Sequence, residues 1–398
     1  MLSGPLEGIK VVDLSRYISG PYCGMLLADM GAEVIKVEKS TGEDTRSIPP
    51  FFNDVDGDSY YAASLNRNKR AITLNFREKK AKNVLTKLFE WADVIIENFR
   101  PGTLEKMGFS PKSIHEINPK AIIARCSAFG QTGPYNHRPG FDAIAQAMGG
   151  IMSMTGREED PPLLAGTYIV DYVTGMHTTV GILSALHHRG QTGKGQVVDA
   201  SLYESAVSML VAMIPIYDQT RTIPKRVGNG DRYAAPADAF KTKNGWVYLL
   251  ASNQSLWERL CKLMDRGDLL NKDYLQSVSD RIKNKNEVNS IVQEWVSAFE
   301  RDELIHLLDK QGIPCAPIQN VRDILQDEHL LQRKQIVKVD HPKAGAVAMS
   351  GVTIKLSDTP GQIKYGIPLI GQHNDEVYLN ELGFELEEYV ELKSLGVI

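Results

Sequence analysis

Between Ile9 and Cys126 the apolar and polar positions alternate between two periods. Short β-branched runs fall at Ile9–Leu14, Glu33–Val37, Ala71–Phe76, Asp93–Phe99 and Ala121–Cys126. Segments with helical spacing lie between several of them. Tyr22–Met30 follows the first run. Arg77–Trp91 places Val84, Leu85, Leu88 and Phe89 on one face and leaves Lys79, Lys80, Lys82 and Lys87 to solvent. Strands alternating with helices predict a parallel α/β sheet. Its ligand crevice is expected at the carboxyl ends of the strands.

Residues 143–218 are largely apolar and rich in small side chains. A Gly-rich turn over Gly190–Gly195 is expected to break this region. A short strand at Gln196–Ala200 and a helix over Ser201–Ile214 are expected to follow. A polar, turn-rich stretch near Arg221–Ala235 marks a change in composition. Beyond it Trp246–Ser252 reads as a strand. Ser255–Met264, Glu287–Phe299 and Asp302–Gln311 read as amphipathic helices, and Gly312-Ile313-Pro314 stops the last of them. From Gln326 the pattern returns to strand-like and helical pieces, with helices at Asp375–Leu382 and Leu386–Leu395. These contrasts predict a large domain over 1–224, a smaller α+β domain over 225–325, and a return to the large domain over 326–398.

Length and charge narrow the function. The 398 residues fit two or three domains at roughly 150 residues each. A net charge of −4, from 45 basic and 49 acidic residues, argues against a nucleic-acid partner held by bulk charge. Cys23, Cys126, Cys261 and Cys315 are far apart and form no Cys-x-x-Cys pair, which suits a reducing compartment. The uncharged run Ser205–Tyr217 has 13 residues, short of the ~18 that span a bilayer. The N-terminal residues do not read as a signal peptide. The expectation is a cytoplasmic protein with no membrane partner.

Asp171 is the sharpest single residue. It is the one charged residue between Leu163 and Leu186, and burying a carboxylate there is costly without partners. Two readings stand side by side. Asp171 caps the helix predicted over Tyr172–Leu186, or it is a catalytic carboxylate able to attack acyl groups. The roles are compatible, because a helix N-terminus favours an ionised carboxylate. Basic residues follow consecutive strand ends: Arg16, then Lys39 with Arg46 beyond it, then Arg77, then Arg100. Asn66-Arg67-Asn68-Lys69-Arg70 precedes the third strand. Read together, the four cations after four consecutive strand ends would ring the crevice with positive charge suited to phosphate, and Arg77 would open a helix there. Glu38 ends the second strand, but the segment after the first strand, Ser15–Pro21, lacks the Gly-x-Gly-x-x-Gly of a dinucleotide domain. No Gly-x-x-x-x-Gly-Lys-Ser/Thr, no His-x-x-x-His and no Gly-x-Ser-x-Gly occurs. The sequence therefore signals no ATP loop, no metal site and no serine nucleophile.

Taken in order, these segments resemble the class III CoA-transferase (CaiB/BaiF) family, which includes carnitine–CoA and formyl-CoA:oxalate transferases and the related α-methylacyl-CoA racemases. The resemblance runs from Pro5-Leu6-Glu7-Gly8-Ile9 through Gly31–Glu38, Asn68-Lys69-Arg70 and Glu97–Gly102 to Ser127–Tyr135. It continues in Arg138-Pro139-Gly140-Phe141-Asp142, Asp171, Thr192–Gln196 and Gly312–Cys315. It implies a Rossmann-like large domain built from both chain ends with a small domain inserted, and a homodimer whose chains pass through each other like linked rings. It implies that CoA moves from an acyl-CoA donor to a free, small carboxylic acid through a covalent aspartyl-CoA thioester on Asp171. CoA and acyl-CoA are then substrates, and no tightly bound cofactor is implied. The implied CoA contacts are Ile18 and Ser19 with Arg16 beside them, then Lys39, Leu74 and Arg77. Asn98, Phe99, Arg100 and Lys106 complete the set, with Arg138 next to Pro139, where the family carries a Lys.

Two departures sort the branches. Members of the oxalate type carry a Gly-rich loop in the small domain, whereas this chain reads Asn253-Gln254-Ser255 after the Trp246–Ser252 strand. The racemase branch needs a His in a Gly-His-Asp segment, and here the segment is Gly140-Phe141-Asp142. Phe cannot move a proton, so the residues favour a transferase over an α-methylacyl-CoA racemase. A non-catalytic CoA-binding subunit is the reading from another class.

Overall fold

The computed structural model describes residues 4–52 and 59–398. Among the described residues, six strands form one parallel sheet: β1 (Lys10–Asp13), β2 (Glu33–Glu38), β3 (Lys69–Thr73), β4 (Val94–Glu97), β5 (Ile122–Ser127) and β6 (Val197–Ser201). Their order is β3-β2-β1-β4-β5-β6, the Rossmann-like arrangement. The winding reverses between β1 and β4, and such a switch point opens a crevice above the carboxyl ends of the strands.

The strands are apolar on both faces because both faces are covered. Val12, Leu14, Ile35, Ile72 and Ile95 pack against Val84, Leu85, Leu88 and Phe89 of helix Ala81–Trp91. Their neighbours Val11, Val34, Val94, Ile96 and Ile122 face the other way, as strand alternation requires. These meet Cys23 and Leu27 of helix Ser19–Asp29 and Ile182 and Ala185 of helix Ile169–Thr192. The C-terminal segment buttresses β3. Tyr378 Oη donates to the Thr73 carbonyl at 2.8 Å, and the Asn75 N–H donates to the Val397 carbonyl at 2.7 Å.

The chain divides into two compact units. One comprises Met1–Ile151, Leu164–Pro215 and Glu328–Ile398; the other comprises Met152–Leu163 and Ile216–Asp327. The second unit carries antiparallel strands β7 (Ala237–Lys241), β8 (Trp246–Leu250) and β9 (Cys315–Pro317) over a core that includes Trp257, Leu260, Val292 and Leu304. Composition placed its edges at 224 and 325 and left out Met152–Leu163. That short stretch joins the unit through distant partners: Arg226 Nε donates to the Arg157 carbonyl at 2.9 Å.

Three local expectations change. The helix bearing Asp171 runs Ile169–Thr192 and passes through Gly190; it ends at Gly193, whose φ of 71° is the left-handed closing position glycine takes without strain. The helix expected over Ser201–Ile214 is two helices, Leu202–Ser208 and Met213–Thr220. Pro215 accounts for the second start, since a first turn needs no proline N–H. Arg77 opens no helix. The Asn75 side chain accepts its N–H at 3.2 Å, and the helix begins at Ala81. Among the described residues no helix is long and apolar enough to cross a membrane.

Candidate active site

A side-chain amide ties the two loops at the switch point. The Arg16 N–H donates to Asn98 Oδ1 at 2.8 Å, and Asn98 Nδ2 donates to the Arg16 carbonyl at 2.6 Å. This pairing ties the loop after β1 to the loop after β4, 82 residues apart in sequence. Beside it lies a cavity of about 220 Å³, lined by residues that include Arg16, Tyr17, Ser19, Phe99, Arg100, Ser127, Asn136, Arg138, Phe141 and Asp171.

Asp171 sits in the first turn of helix Ile169–Thr192 and is 9% exposed. It does not cap that helix. The N-terminal position is Tyr168, and the N–H groups of Val170 and Asp171 donate to Asp142 Oδ1 at 2.8 and 3.1 Å. The cap therefore comes from helix Asp142–Met148, and Gln146 Nε2 donates to its other oxygen at 2.6 Å. The helix dipole was expected to keep Asp171 ionised, yet its carboxyl is pushed up to about 7. Burial is the largest cause, and the Asp142 charge adds to it; the hydroxyl and N–H of Ser19 pull the other way. Ser19 comes this close because Gly175, one turn beyond Asp171, lacks a side chain. A Cβ there would lie 2.7 Å from the Ser19 carbonyl oxygen.

The cavity gathers Arg16, Ser19, Asn98, Phe99, Arg100, Arg138 and Asp171. Arg138 rests over the Tyr135 ring at 4.1 Å. Other expected contacts lie elsewhere. Ile18 is buried immediately before helix Ser19–Asp29. Leu74 has no exposed surface, packs in the core, and gives its N–H to the Glu38 carbonyl. Arg77 and Lys106 are exposed outside the cavity. Lys39 Nζ meets Asp44 Oδ1 at 2.8 Å, and Arg16 Nη1 meets Asp44 Oδ2 at the same distance. One carboxylate thus gathers two of the expected CoA cations.

Of the four cations after strand ends, Arg16 and Arg100 line the cavity, whereas Lys39 and Arg77 do not; the further basic residues nearby are committed to acids. Arg46 pairs with Glu38 at 2.8 Å, Arg67 with Asp29 at 2.7 Å and Lys69 with Asp13 at 2.9 Å, all buried. Glu38 is therefore committed to Arg46 and does not stand free for a ribose. Among the described residues no group of three or more His, Cys, Asp or Glu side chains is placed to hold a metal ion.

Sequence reasoning missed Asp142, Tyr17 and Ser127. Asp142 had a local signal, an acid at the start of the run Ala143–Met148. Its target 28 residues on had none. Tyr17 holds a left-handed backbone, φ 65°, and its ring meets that of Phe141 at 5.3 Å, edge to face. Ser127 ends β5, and among the described residues its buried hydroxyl has no hydrogen-bond partner. Phe141, where a racemase would need a base, presents a half-exposed ring to the cavity.

Comparison with known proteins shows the family and the fold. The model for CoA-transferase family III matches residues 6–374. The beta subunit of a succinyl-CoA–L-malate CoA-transferase from Chloroflexus aurantiacus is 38% identical, with 99% of this chain and 98% of that one aligned. A formyl-CoA:oxalate CoA-transferase from Streptomyces coelicolor is 37% identical over the whole of both chains. The crystal structure of a CaiB/BaiF family protein from Brucella suis superposes with a TM-score of 0.87 at 34% identity, covering 96% of this chain and 100% of that one. The chain therefore belongs to CoA-transferase family III, and it is an enzyme that moves CoA from an acyl-CoA to a carboxylic acid.

Proposed function

We propose that Asp171 is the nucleophile of this transfer and carries CoA as a covalent thioester. One observation carries the reading: a buried carboxyl, which burial and a neighbouring acid make more basic than usual, lines a cavity at the β1/β4 switch point. A carboxylate so placed is a better nucleophile than one in water once it is ionised. An Asp171 oxygen attacks the donor thioester carbonyl, the C–S bond breaks, and an anhydride and CoA thiolate result. The thiolate attacks the aspartyl carbonyl, the donor carboxylate leaves, and Asp171 holds CoA as a thioester. The acceptor carboxylate then attacks that thioester and releases the thiolate. The thiolate attacks the acceptor's carbonyl, which gives the new acyl-CoA and returns Asp171 as a carboxylate. The thioester bond energy is kept throughout.

Arg16, Arg100 and Arg138 are the cations proposed to hold the phosphates of CoA, because each lines the cavity that also contains Asp171. Lys39 joins them through Asp44. A homodimer belongs to the same reading. Met176, Val180 and Leu183 form an exposed apolar stripe on the Asp171 helix, and such a stripe on a folded chain calls for a partner. Four unpaired cysteines support a cytoplasmic setting.

Incubation with a panel of acyl-CoA donors, including succinyl-CoA and formyl-CoA, followed by hydroxylamine quench and peptide mass spectrometry, tests the mechanism. A donor-dependent hydroxamate on Asp171 is expected. No adduct with any donor, with CoA binding intact, overturns it.

A further inference from the structure

Asp171 is the acid the chemistry uses, yet a second acid holds it. Asp142 is 3% exposed and sits at the start of helix Asp142–Met148. Its Oδ1 accepts two N–H groups from the first turn of the Asp171 helix, at 2.8 and 3.1 Å. One of those N–H groups belongs to Asp171 itself. Gln146, with no exposed surface, donates to Asp142 Oδ2 at 2.6 Å and accepts the Ala165 N–H at 3.0 Å. The pair thus grips the chain on both sides of the turn where the nucleophile begins.

An N-terminal turn normally offers its free N–H groups to a nearby anion. Here Asp142 occupies them, and its negative charge stands beside Asp171. An asparagine or serine would satisfy the same N–H groups without that charge. The two helix N–H groups use one oxygen, and the other accepts from Gln146 Nε2; neither contact needs the negative charge itself.

We propose that Asp142 is a positioning residue for the nucleophile: it fixes the first turn that carries Asp171 and takes from Asp171 the N–H groups that would otherwise quiet it. The inference rests on Asp171 being the nucleophile. The direction follows from the neighbours. Burial and Asp142 push the Asp171 carboxyl up, and Ser19 alone among its close partners pulls it down. The other titratable groups facing it are Tyr168 and Tyr172 on its own helix. Tyr22 packs on Tyr172 and Tyr61 on Tyr168, and Arg16, Arg100 and Arg138 line the cavity.

The test compares Asp142→Asn and Asp142→Ala in the full-length protein. Asp142→Asn keeps the oxygen that accepts the two helix N–H groups and removes the charge; its Nδ2 then faces Gln146 Nε2, so the pH profile and not kcat reads the charge. The acid limb of its kcat/KM profile is expected to move down by about one pH unit, with CoA affinity unchanged. Asp142→Ala also removes the cap, and kcat is expected to fall about 100-fold through misplacement of the nucleophile, with the KM for acyl-CoA little changed. An Asn variant whose acid limb coincides with that of the parent overturns the inference. So does an Ala variant with unchanged kcat. Hydroxylamine trapping separates this failure from that of the parent mechanism. If the unsubstituted protein forms the Asp171 adduct and the Asn profile does not move, only the role of Asp142 is lost. If the unsubstituted protein forms no adduct, the nucleophile itself is wrong.

Discussion

Two buried carboxylates in the large unit have opposite fates. Asp13, at the end of β1, has no exposed surface. Lys69 Nζ reaches it at 2.9 Å and Lys36 Nζ at 3.7 Å, and both the N–H and the hydroxyl of Ser15 donate to it. Burial alone would raise its carboxyl, but the two ammonium groups and the Ser15 hydroxyl hold it down at about 2. Asp171 has Ser19 on one side and a second acid on the other, and its carboxyl stands at about 7. Depth does not separate them; the sign of the neighbours does. Asp13 is a structural ion, locked to two cations. Asp171 has hydrogen bonds from Ser19 but no cation among the groups that shift it, and a carboxyl held without one is the kind that the proposed chemistry needs.

The contrast breaks most sharply at the two acids. Asp171→Ala is expected to lower CoA transfer on the order of 10³-fold or more, while CoA binding measured by calorimetry persists. Lys69→Met leaves Asp13 with one cation in a dry site. A loss of about 3–5 kcal/mol is expected in urea unfolding at pH 7, because breaking a buried pair strands a charge. Asp171→Asn is expected to act in the opposite direction. Its parent carboxyl is raised on folding, so ionising it costs stability as pH rises from the unfolded value near 3.8 through about 7. The Asn variant is expected to be more stable by about 4 kcal/mol at pH 8 and to match the parent below pH 4; equal unfolding midpoints at pH 8 would contradict this. Asp13 has the reverse sign, since its contribution holds above 3.8 and fades as pH falls toward 2. The smallest effect is the pH dependence of the unsubstituted enzyme. Activity is expected to fall about tenfold per unit below pH 7 as the Asp171 carboxylate takes up a proton, which a kcat/KM profile reads directly.

Local pattern revealed the sheet because its cause is local. β-Branched runs such as Val11-Val12 and Val94-Ile95-Ile96, buried on both faces, leave a continuous apolar signature. Asp171 was legible for a similar reason, as a lone charge in an apolar stretch. Its surroundings were not. The Asp142 cap acts across 28 and 29 residues, Arg67 finds Asp29 across 38, and Asn98 finds Arg16 across 82. Nothing near Arg46, Arg67 or Lys69 in sequence distinguishes a cation facing a ligand from one committed to a buried acid. Arg46 lies just beyond a strand end, and Arg67 and Lys69 lie just before or at the start of β3; tertiary pairing commits all three to buried acids. Leu74, an apolar member of the run Ala71–Phe76, has its side chain in the core, as such a run predicts.

The mutual amide grip between Asn98 and the Arg16 backbone has a kinetic consequence. On the proposed route the thiolate is released twice and must be recaptured twice, while one acid departs and another enters. A ligand that drifts out between those events ends the cycle as free CoA. Two loops fixed to each other before the ligand arrives lose little conformational entropy when they close on it, so residence can be long without a large moving lid. The thiolate also stays tethered within reach of the carbonyl, at an effective concentration far above that in bulk solution. In this view the fidelity of the exchange depends on a side-chain amide that touches neither acid.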